Sequence, residues 1–246
     1  MKLMTKELAV VTGAGTGIGR ALSHALALAG FQVLGVGRRL DPLKEMQSAF
    51  PEQISIVSAD VAAPEGRTAI VQSIPGRVGI LVHNAAVLGP VEPMATINPE
   101  AWRQHMAINV DAPLFLTQAL LGLMDAGSRI LHISSGAAHG AYQGWGAYCT
   151  SKCALNMMYR CLDLELREAG IRVGSVRPGV VDTPMQDTVR GSSPDAFPDL
   201  SRFIELKESG TLVLPEHVAS YLVKLLTEVE ADAFAEKEWD FRDHKL

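Results

Sequence analysis

An α/β fold with a doubly wound parallel sheet is the architecture that this 246-residue sequence predicts. Short apolar runs rich in Val and Ile recur along the chain, and a longer stretch with helical periodicity follows each of them. The runs are apolar throughout and do not alternate, which indicates a sheet covered by helices on both faces. No internal repeat or linker interrupts this pattern, so we expect a single domain over residues 1–246.

Six runs are candidate strands, and they begin at Leu8, Gln32, Ile54, Ile80, Arg129 and Ile171. With edge strands added, the sheet should have about seven strands. Helical patterns cover residues 18–29, 42–49, 64–73, 99–124 (with a possible break) and 147–169, and another begins at Glu216. Before it lies a long irregular stretch with three prolines, residues 185–215. Such stretches in compact domains are commonly lids, so we predict a substrate-binding loop at about residues 184–214.

Composition describes a soluble protein without a bias toward nucleic acid or anionic membranes. The apolar fraction is 48%, the charged fraction 20% and the net charge −5. Lys2, Lys6 and Glu7 precede only a short apolar run, so a signal peptide's apolar core is not expected. No segment approaches the roughly 18 uninterrupted apolar residues of a membrane span. We therefore expect a cytoplasmic protein with neither nucleic-acid nor membrane partners.

The three cysteines, Cys149, Cys153 and Cys161, lie in one stretch with a helical pattern. An odd number in an intracellular chain does not suggest a disulfide framework. Cys149 and Cys153 are four residues apart, which raises a metal site or a redox pair as alternatives. Histidines at ligand spacing are missing, however, and free cysteines are commonly small buried apolar residues. We expect no metal site.

A glycine-rich turn, TGAGTGIGRA, follows the first predicted strand and opens the first helix. Glycine lets the backbone approach a pyrophosphate, whose charge is met by the amides at a helix N-terminus. The spacing of Gly13, Gly17 and Gly19 is not G-x-G-x-x-G, because Ile18 occupies the last glycine's place. Arg20 after Gly19 likewise excludes a nucleoside triphosphate loop. The strand and helix around the turn favour dinucleotide binding over a turn without a ligand.

Two arginines end the second predicted strand, in VGRRL. A fold specific for NAD tends to place an acidic residue there for the ribose diol, whereas this chain has Gly37 followed by Arg38 and Arg39. Two guanidinium groups suit the 2′-phosphate of NADP, although they could also simply solvate the start of a helix. The sequence therefore favours NADP(H) over NAD.

Tyr148 and Lys152 are four residues apart in the stretch WGAYCTSK. Positions i and i+4 of a helix share one face, so the phenol and the ammonium can face a common space. A nearby ammonium lowers a phenol pKa that is about 10 when unperturbed, which would allow proton exchange near neutral pH. Alone, the pair is weak evidence, because the same spacing occurs on many solvated helices.

Together, these motifs resemble the short-chain dehydrogenase/reductase family, whose fold is a single Rossmann-type domain. The matching motifs are Thr12 to Gly19, Asn84 to Ala86, Asn109, Ser135 thirteen residues before Tyr148, Lys152 and RPGVVDT from Arg177. They span most of the chain in the family's order. The stretches QGWGAYCTSKCALNMM, PGVVDTPMQ and ELKESGTLV further resemble the family's sepiapterin reductase and benzil reductase branch.

The resemblance implies four catalytic residues. Tyr148 would be the general acid that protonates a carbonyl oxygen, and Ser135 would hold that oxygen by a hydrogen bond. Lys152 would lower the tyrosine pKa and bind the nicotinamide ribose, while Asn109 would support a water that leads protons to the lysine. Without the resemblance, Ser135 would be interpreted as a strand-end cap and Asn109 as a mid-helix hydrogen bond or kink.

The resemblance also implies which residues contact NADP(H). They are Gly13, Gly15, Thr16, Gly17, Ile18, Gly19, Arg38, Arg39, Asp60, Val61, Asn84, Ala85, Ala86, Tyr148, Lys152, Pro178, Gly179, Val181 and Thr183. Asp60 and Val61 match positions that contact adenine, and Thr183 the position that meets the carboxamide. Two residues depart from the family's NNAG. Ala86 narrows the space for the cofactor, and His83 is expected to be satisfied by its neighbours.

Four residues are predicted to face the open side of the nicotinamide, namely Gln143, Trp145, Met185 and Gln186. Trp145 could stack on a flat conjugated ketone, with core packing as the alternative. Near the C-terminus, EWDFRDH resembles the segment in which sepiapterin reductases place a pterin-anchoring aspartate. This points to Asp240, with an exposed tail acid as the alternative.

The predicted function is NADPH-dependent reduction of a ketone in a small-molecule substrate. The expected substrates are a vicinal dicarbonyl, an aromatic diketone similar to benzil, or a pterin side-chain ketone similar to sepiapterin. Two alternatives stay open: a generic NAD(P)-dependent short-chain alcohol dehydrogenase and a non-catalytic NADP-sensing protein. The resemblance also implies a homodimer or homotetramer through the helices that begin near Pro99 and Ala147.

Overall fold

The computed structural model describes residues 8–246, so part of the N-terminal segment behind the signal-peptide expectation lies outside the described residues. Within them, one seven-stranded parallel sheet has the order β3-β2-β1-β4-β5-β6-β7. The strands are β1 Leu8–Thr12, β2 Gln32–Gly37, β3 Ile54–Ser58, β4 Val78–His83, β5 Arg129–Ile133, β6 Arg172–Arg177 and β7 Glu238–Asp240. The order reverses between β1 and β4, which is where open α/β sheets bind ligands.

Ten α-helices accompany the described strands. They are α1 Gly17–Leu28, α2 Leu40–Ser48, α3 Pro64–Gln72, α4 Pro99–Met106, α5 Ala112–Leu120, α6 Gly146–Leu166, α7 Pro184–Arg190, α8 Leu200–Glu208, α9 Pro215–Thr227 and α10 Ala231–Glu236. Helices α1, α2, α9 and α10 contribute to the apolar core on one face of the sheet. Helices α3, α5 and α6 contribute to the core on the other face. The predicted doubly wound α/β fold is confirmed.

The six predicted strands are all present, and each begins within two residues of its predicted start. The sequence reading did not locate β7, Glu238–Asp240, which pairs with β6 at the sheet edge. Three residues are too few to show a period, and two of them are acidic. The strand is stabilised by tertiary contacts and not by a local sequence pattern, because Trp239 packs into the core beside Phe234.

The predicted break in the fourth helix is a π-helical segment, Ala107–Asp111, between α4 and α5. Within the described residues, Pro99–Leu123 is also the one helical run long and apolar enough to cross a membrane by length and composition. Its side chains Leu116 and Leu120 are fully buried against the sheet. The run is therefore part of the core of this fold.

The stretch predicted to be irregular contains two helices, α7 and α8. The three prolines do not prevent them, because Pro194 and Pro198 lie between the two helices and Pro215 occupies the first turn of α9, where a missing N–H costs nothing. Phe197 is fully buried, and Phe203 of α8 packs with it in a third apolar cluster beyond the sheet. The prediction of an irregular segment was wrong because this burial outweighs the local turn signals.

Candidate active site

A cavity of about 650 Å³ opens at the carboxyl ends of the central strands. This is the expected place for a ligand in an open α/β sheet. Eighteen of the nineteen predicted cofactor residues line it: Gly13, Gly15, Thr16, Gly17, Ile18, Arg38, Arg39, Asp60, Val61, Asn84, Ala85, Ala86, Tyr148, Lys152, Pro178, Gly179, Val181 and Thr183. Gly19 lies behind the turn, where a side chain would meet the carbonyl oxygen of Gly13 at 2.3 Å.

The glycine turn is shaped for close approach by a ligand. Gly13 and Gly17 have φ angles of 66° and 53°, which side chains rarely adopt. A Cβ on Gly17 would lie 2.9 Å from the Thr183 side chain, which lines the same cavity. Thr16 at the start of α1 makes no side-chain capping bond, so the first helical amides remain available to an anion. These features fit the pyrophosphate of a dinucleotide.

Thr12 joins the ends of β1 and β4 beneath the cavity. Its hydroxyl donates to the carbonyl oxygen of Val82 at 3.1 Å and accepts from the amides of Asn84 and Ala85 at 3.0 and 3.1 Å. The Asn84 side chain in turn donates to the Thr12 carbonyl oxygen at 2.9 Å. These hydrogen bonds fix the position of the glycine turn relative to the NAA segment, Asn84 to Ala86.

Arg38 and Arg39 line the cavity at the end of β2, and both side chains are exposed. Asp60 lines the same region after β3, with its carboxylate held by the amide of Ala62 at 3.0 Å. The Asp60 carboxylate therefore follows β3. An acid that selects the ribose diol of NAD would instead follow β2. The end of β2 presents only guanidinium groups, which suit a phosphate.

Tyr148, Lys152 and Ser135 line one end of the cavity together. Tyr148 and Lys152 lie one turn apart on α6, and the Lys152 Nζ is 5.7 Å from the centre of the tyrosine ring. The ammonium also donates to the carbonyl oxygen of Ile133 at 2.8 Å. Ser135 follows β5 and accepts from the amide of Ala137 at 3.2 Å, so it is both a cap and a cavity residue.

Burial changes the pKa of both α6 residues in opposite directions. It raises the pKa of Tyr148 to about 12, an effect that the Ser135 hydroxyl partly offsets. Burial lowers the pKa of Lys152 to about 8, and the negative charge of Glu238 acts in the opposite direction by raising it. Desolvation therefore acts on the tyrosine pKa in the direction opposite to the effect expected of the lysine. Tyr148 is protonated at neutral pH and can act as a proton donor.

Asn109 does not line the cavity but lies directly behind it, in the π-helical segment. Its side chain accepts from the amide of Val87 at 2.9 Å and donates to the carbonyl oxygen of Val87 at 2.9 Å. Sequence reasoning missed its buried neighbours His105 and Ser151, which lie 2.9 and 3.1 Å from the Asn109 amide nitrogen. Two sequence positions could have indicated them: His105 lies four residues before Asn109, and Ser151 directly precedes Lys152.

The predicted substrate residues divide into two groups. Trp145, Met185 and Gln186 line the cavity, whereas Gln143 and Asp240 do not. Trp145 is only 6% exposed and stacks on Phe197 with 4.6 Å between ring centres, so it belongs to both core and cavity wall. Sequence reasoning missed further residues on this wall, which are Tyr142, Arg177, Arg202, Phe203 and Arg242.

Asp240 is neither an exposed tail acid nor a cavity residue. Its side chain is 0% exposed, because β7 places it at the sheet edge behind two arginines. Arg242 contacts both carboxylate oxygens, at 3.0 and 2.8 Å, and Arg177 lies 3.2 Å from one of them. The alternative of a solvated tail carboxylate was therefore wrong.

His83 is satisfied by its neighbours, as expected, since its Nε2 lies 2.8 Å from the hydroxyl oxygen of buried Thr117. Burial lowers its pKa well below the usual range. Cys149 is half-buried, and Cys153 and Cys161 are exposed free thiols. Within residues 8–246, no three His, Cys, Asp or Glu side chains are grouped so that they could hold a metal ion.

Comparison with known proteins places these features in a family. The family model described as short chain dehydrogenase matches residues 7–193. Benzil reductase ((S)-benzoin forming) of Bacillus cereus is 30% identical over 256 residues, covering 93% of this chain and 96% of that protein. Sepiapterin reductase of Xenopus laevis is 34% identical over 248 residues, covering 92% of each.

A short chain dehydrogenase from Shigella flexneri, solved in complex with NADP, has the same fold. It matches with a TM-score of 0.78 and 28% identity, and the match covers 98% of both chains. The family model, the relatives and the fold agree with one another. This chain belongs to the short chain dehydrogenase/reductase family and is an oxidoreductase that acts on carbonyl or alcohol groups.

Proposed function

We propose that this protein is an NADPH-dependent carbonyl reductase whose substrate is an aromatic or vicinal diketone. The observation that carries the proposal is that Tyr148, Ser135 and Lys152 line a single cavity with the glycine turn and with Arg38 and Arg39. Proton donor, oxygen-binding hydroxyl and phosphate-binding groups thus share one space. A pocket of this size also suits a dinucleotide together with a small ketone.

The residues at hand fit NADPH, which would supply the hydride to the carbonyl carbon. The amides at the start of α1 would bind its pyrophosphate, and Arg38 and Arg39 would bind its 2′-phosphate. Asp60 and Val61 would flank the adenine, while Thr183 would meet the carboxamide. The Shigella flexneri relative that was solved with NADP supports this choice, as do the cationic side chains after β2.

Proton transfer would be the task of Tyr148. With a pKa of about 12, its phenol is protonated at neutral pH and can donate to the carbonyl oxygen as negative charge develops there. The Ser135 hydroxyl would hold the same oxygen, and the Lys152 ammonium would stabilise the phenolate that remains. Asn109 would act from behind, by fixing the Val87 backbone at the cavity and the Ser151 hydroxyl beside Lys152.

The relatives from Bacillus cereus and Xenopus laevis, both named as reductases, support the reduction direction over the alternative of a generic alcohol dehydrogenase. The non-catalytic alternative, an NADP sensor, would not require a tyrosine, a serine and a lysine to line the same end of the cavity.

Aromatic side chains support a flat substrate. Trp145, Tyr142 and Phe203 line the cavity on the side of the catalytic tyrosine, and such rings stack on conjugated ketones. The segment of residues 184–214 would close this side, through α7 and α8. The Bacillus cereus relative is a benzil reductase and the Xenopus laevis relative a sepiapterin reductase, so benzil-like and sepiapterin-like ketones are the first substrates to test.

Oxidation of NADPH in the presence of benzil, sepiapterin or a simple monoketone tests the proposed function. Rapid loss of NADPH absorbance with a diketone and slow loss with the monoketone would support it. If the protein binds NADPH but reduces none of a broad panel of carbonyls, the sensor alternative gains instead. Faster turnover of alcohols with NAD than of ketones with NADPH would favour the dehydrogenase alternative.

Replacing both Arg38 and Arg39 with alanine is expected to weaken NADPH binding by about tenfold or more, because two charge-assisted bonds to the 2′-phosphate are lost. NADH lacks that phosphate and serves as the internal control. Titrating each cofactor against both proteins by intrinsic fluorescence measures the two affinities. Equal weakening of NADPH and NADH would show that neither arginine recognises the phosphate.

We further infer a homodimer or homotetramer in the cytoplasm. Exposed apolar side chains support self-association, namely Phe115 on α5 with Met157 and Leu164 on α6. The soluble composition and the buried placement of the Pro99–Leu123 run support the location. Light scattering of the purified protein would measure the subunit number directly.

A further inference from the structure

The substrate end of the cavity presents one sign of charge. Besides the catalytic Lys152, the charged side chains that line it there are Arg177, Arg202 and Arg242, which we call the arginine wall. Among the described residues, the cavity is lined by a single acid, Asp60, and that residue lies at the opposite end after β3. A cleft lined by one sign of charge raises the local concentration of oppositely charged ligands.

Two buried carboxylates form ion pairs with Arg177 and Arg242 on the side of the wall away from the cavity. Asp240 is 0% exposed and binds Arg242 at 2.8 Å and Arg177 at 3.2 Å. Glu238 lies 3.3 Å from the Arg177 Nε and is also buried. Both acids therefore support the guanidinium groups without lining the cavity, and the charged groups offered to a substrate on this side are all cationic donors.

Arg242 is held against the turn that follows β6. Its methylene carbons would lie 3.5 and 3.6 Å from a Cβ placed on Gly179, whose φ is 79°. Gly179 lines the cavity too, so the arginine stem packs beside the nicotinamide end. The buried carboxylate and this packing fix the guanidinium in place, which reduces the entropy lost on binding a ligand.

Arg202 supplies the cation that no acid balances. It projects from α8, with its guanidinium 5.9 Å from the centre of the Phe203 ring. No ion pair formed within residues 8–246 includes it. A charged donor without a partner beside an aromatic ring is suited to a ligand that carries both a ring and an anionic group.

We propose that the arginine wall selects an aromatic ketone that bears a carboxylate, placed so that the ring lies against Trp145 and Phe203. This inference rests on the proposed function and narrows its substrate class. It ranks a pterin below such a ketone, because a pterin carries no carboxylate for the arginines to bind. The two acids behind this wall are already paired, Asp240 with Arg177 and Arg242 and Glu238 with Arg177.

The test compares benzil with 4-carboxybenzil, which differ by one carboxylate. We expect kcat/KM for 4-carboxybenzil to exceed that for benzil by about tenfold or more at low salt, since one charge-assisted pair is worth that factor. The preference should shrink as salt is added, because the charges are partly solvated. Sepiapterin, which carries no carboxylate, should be reduced more slowly than 4-carboxybenzil.

Arg202→Gln is expected to remove most of the preference for 4-carboxybenzil over benzil. Arg202→Lys keeps the charge and should retain much of the preference. Arg77→Gln is the matched control, because Arg77 precedes central strand β4, at the end of the strands opposite the cavity, and pairs with Asp125 in solvent. Arg242→Gln is a less clean probe, since it leaves the buried Asp240 with one partner fewer.

The proposal is overturned if the two diketones are reduced equally, or if Arg202→Gln lowers turnover of both by the same factor. If neither diketone is reduced, the proposed function has failed. The affinities of the two diketones for the protein then test the arginine wall separately. Calorimetric titration with 4-carboxybenzil and with benzil then compares the affinities. Equal affinities, or affinities that Arg202→Gln leaves unchanged, would refute the arginine wall independently of catalysis.

Discussion

Replacing Tyr148 with phenylalanine is expected to lower kcat by about a hundredfold to ten-thousandfold, the usual contribution of a positioned general acid. The side chain is 7% exposed and its ring lies edge-on to Trp145 and His105, so phenylalanine keeps the packing and removes only the hydroxyl. The affinity for NADPH should stay within about twofold, because no charge is lost. The proton that the carbonyl oxygen needs would then come from water alone.

Steady-state turnover of benzil together with a fluorescence titration of NADPH measures both quantities. Tyr159→Phe is the matched control, since Tyr159 lies on the same helix, is equally buried and belongs to the core away from the cavity. The control should keep normal turnover. If Tyr148→Phe retained turnover close to that of the unmodified protein, Tyr148 would not be the proton donor.

Replacing Lys152 with methionine is expected to lower kcat/KM by about a hundredfold to a thousandfold. Methionine keeps much of the length of the stem but removes the ammonium that lies 5.7 Å from the tyrosine ring and donates to Ile133. Losing one preorganised donor at a charge that develops during reaction costs this much in other enzymes. NADPH should also bind more weakly, because the same ammonium would contact the nicotinamide ribose.

The pH dependence gives Lys152 a second, independent signature. Burial lowers its pKa to about 8, so the ammonium form prevails below that pH and is lost as the pH rises through it. The value of kcat/KM for NADPH, which reports groups of the free enzyme, should therefore fall above about pH 8. Lys152→Met should show a low, flat profile over this range.

Lys224→Met serves as the control for Lys152, because Lys224 is exposed on α9 and contacts the backbone oxygen of Leu246. This variant should reproduce the normal profile. Persistence of the falling limb in Lys152→Met would assign that limb to a different group. Unchanged turnover in the same variant would contradict the role of Lys152 altogether.

Much of the fold was predictable because its information is local. Strands β1 to β3 have the boundaries that their apolar runs indicate, and the glycine turn follows β1 where it was expected. Buried parallel strands are continuous apolar runs, so each of them can be recognised in isolation. The family motifs likewise identified the cavity, which eighteen of the nineteen predicted cofactor residues line.

The substrate side was less predictable, because its residues come from distant segments. Arg177 ends β6, Arg202 lies on α8, and Arg242 follows a three-residue edge strand, and nothing in their sequence spacing indicates that they share a wall. Asp240 shows the same limit. Its motif indicated a substrate contact, but strand pairing buries its carboxylate behind two arginines.

The sequence by itself determined the α/β class and the order of strands along the chain, and its motifs predicted the catalytic and phosphate-binding groups, since each depends on short patterns of residue type. Only the tertiary structure decided the direction in which the pKa of Tyr148 shifts, the burial of Asp240 and the helices within residues 184–214. These three depend on which surfaces are removed from water when distant segments pack together. Desolvation of that kind is a property of the folded chain, and no local pattern encodes it.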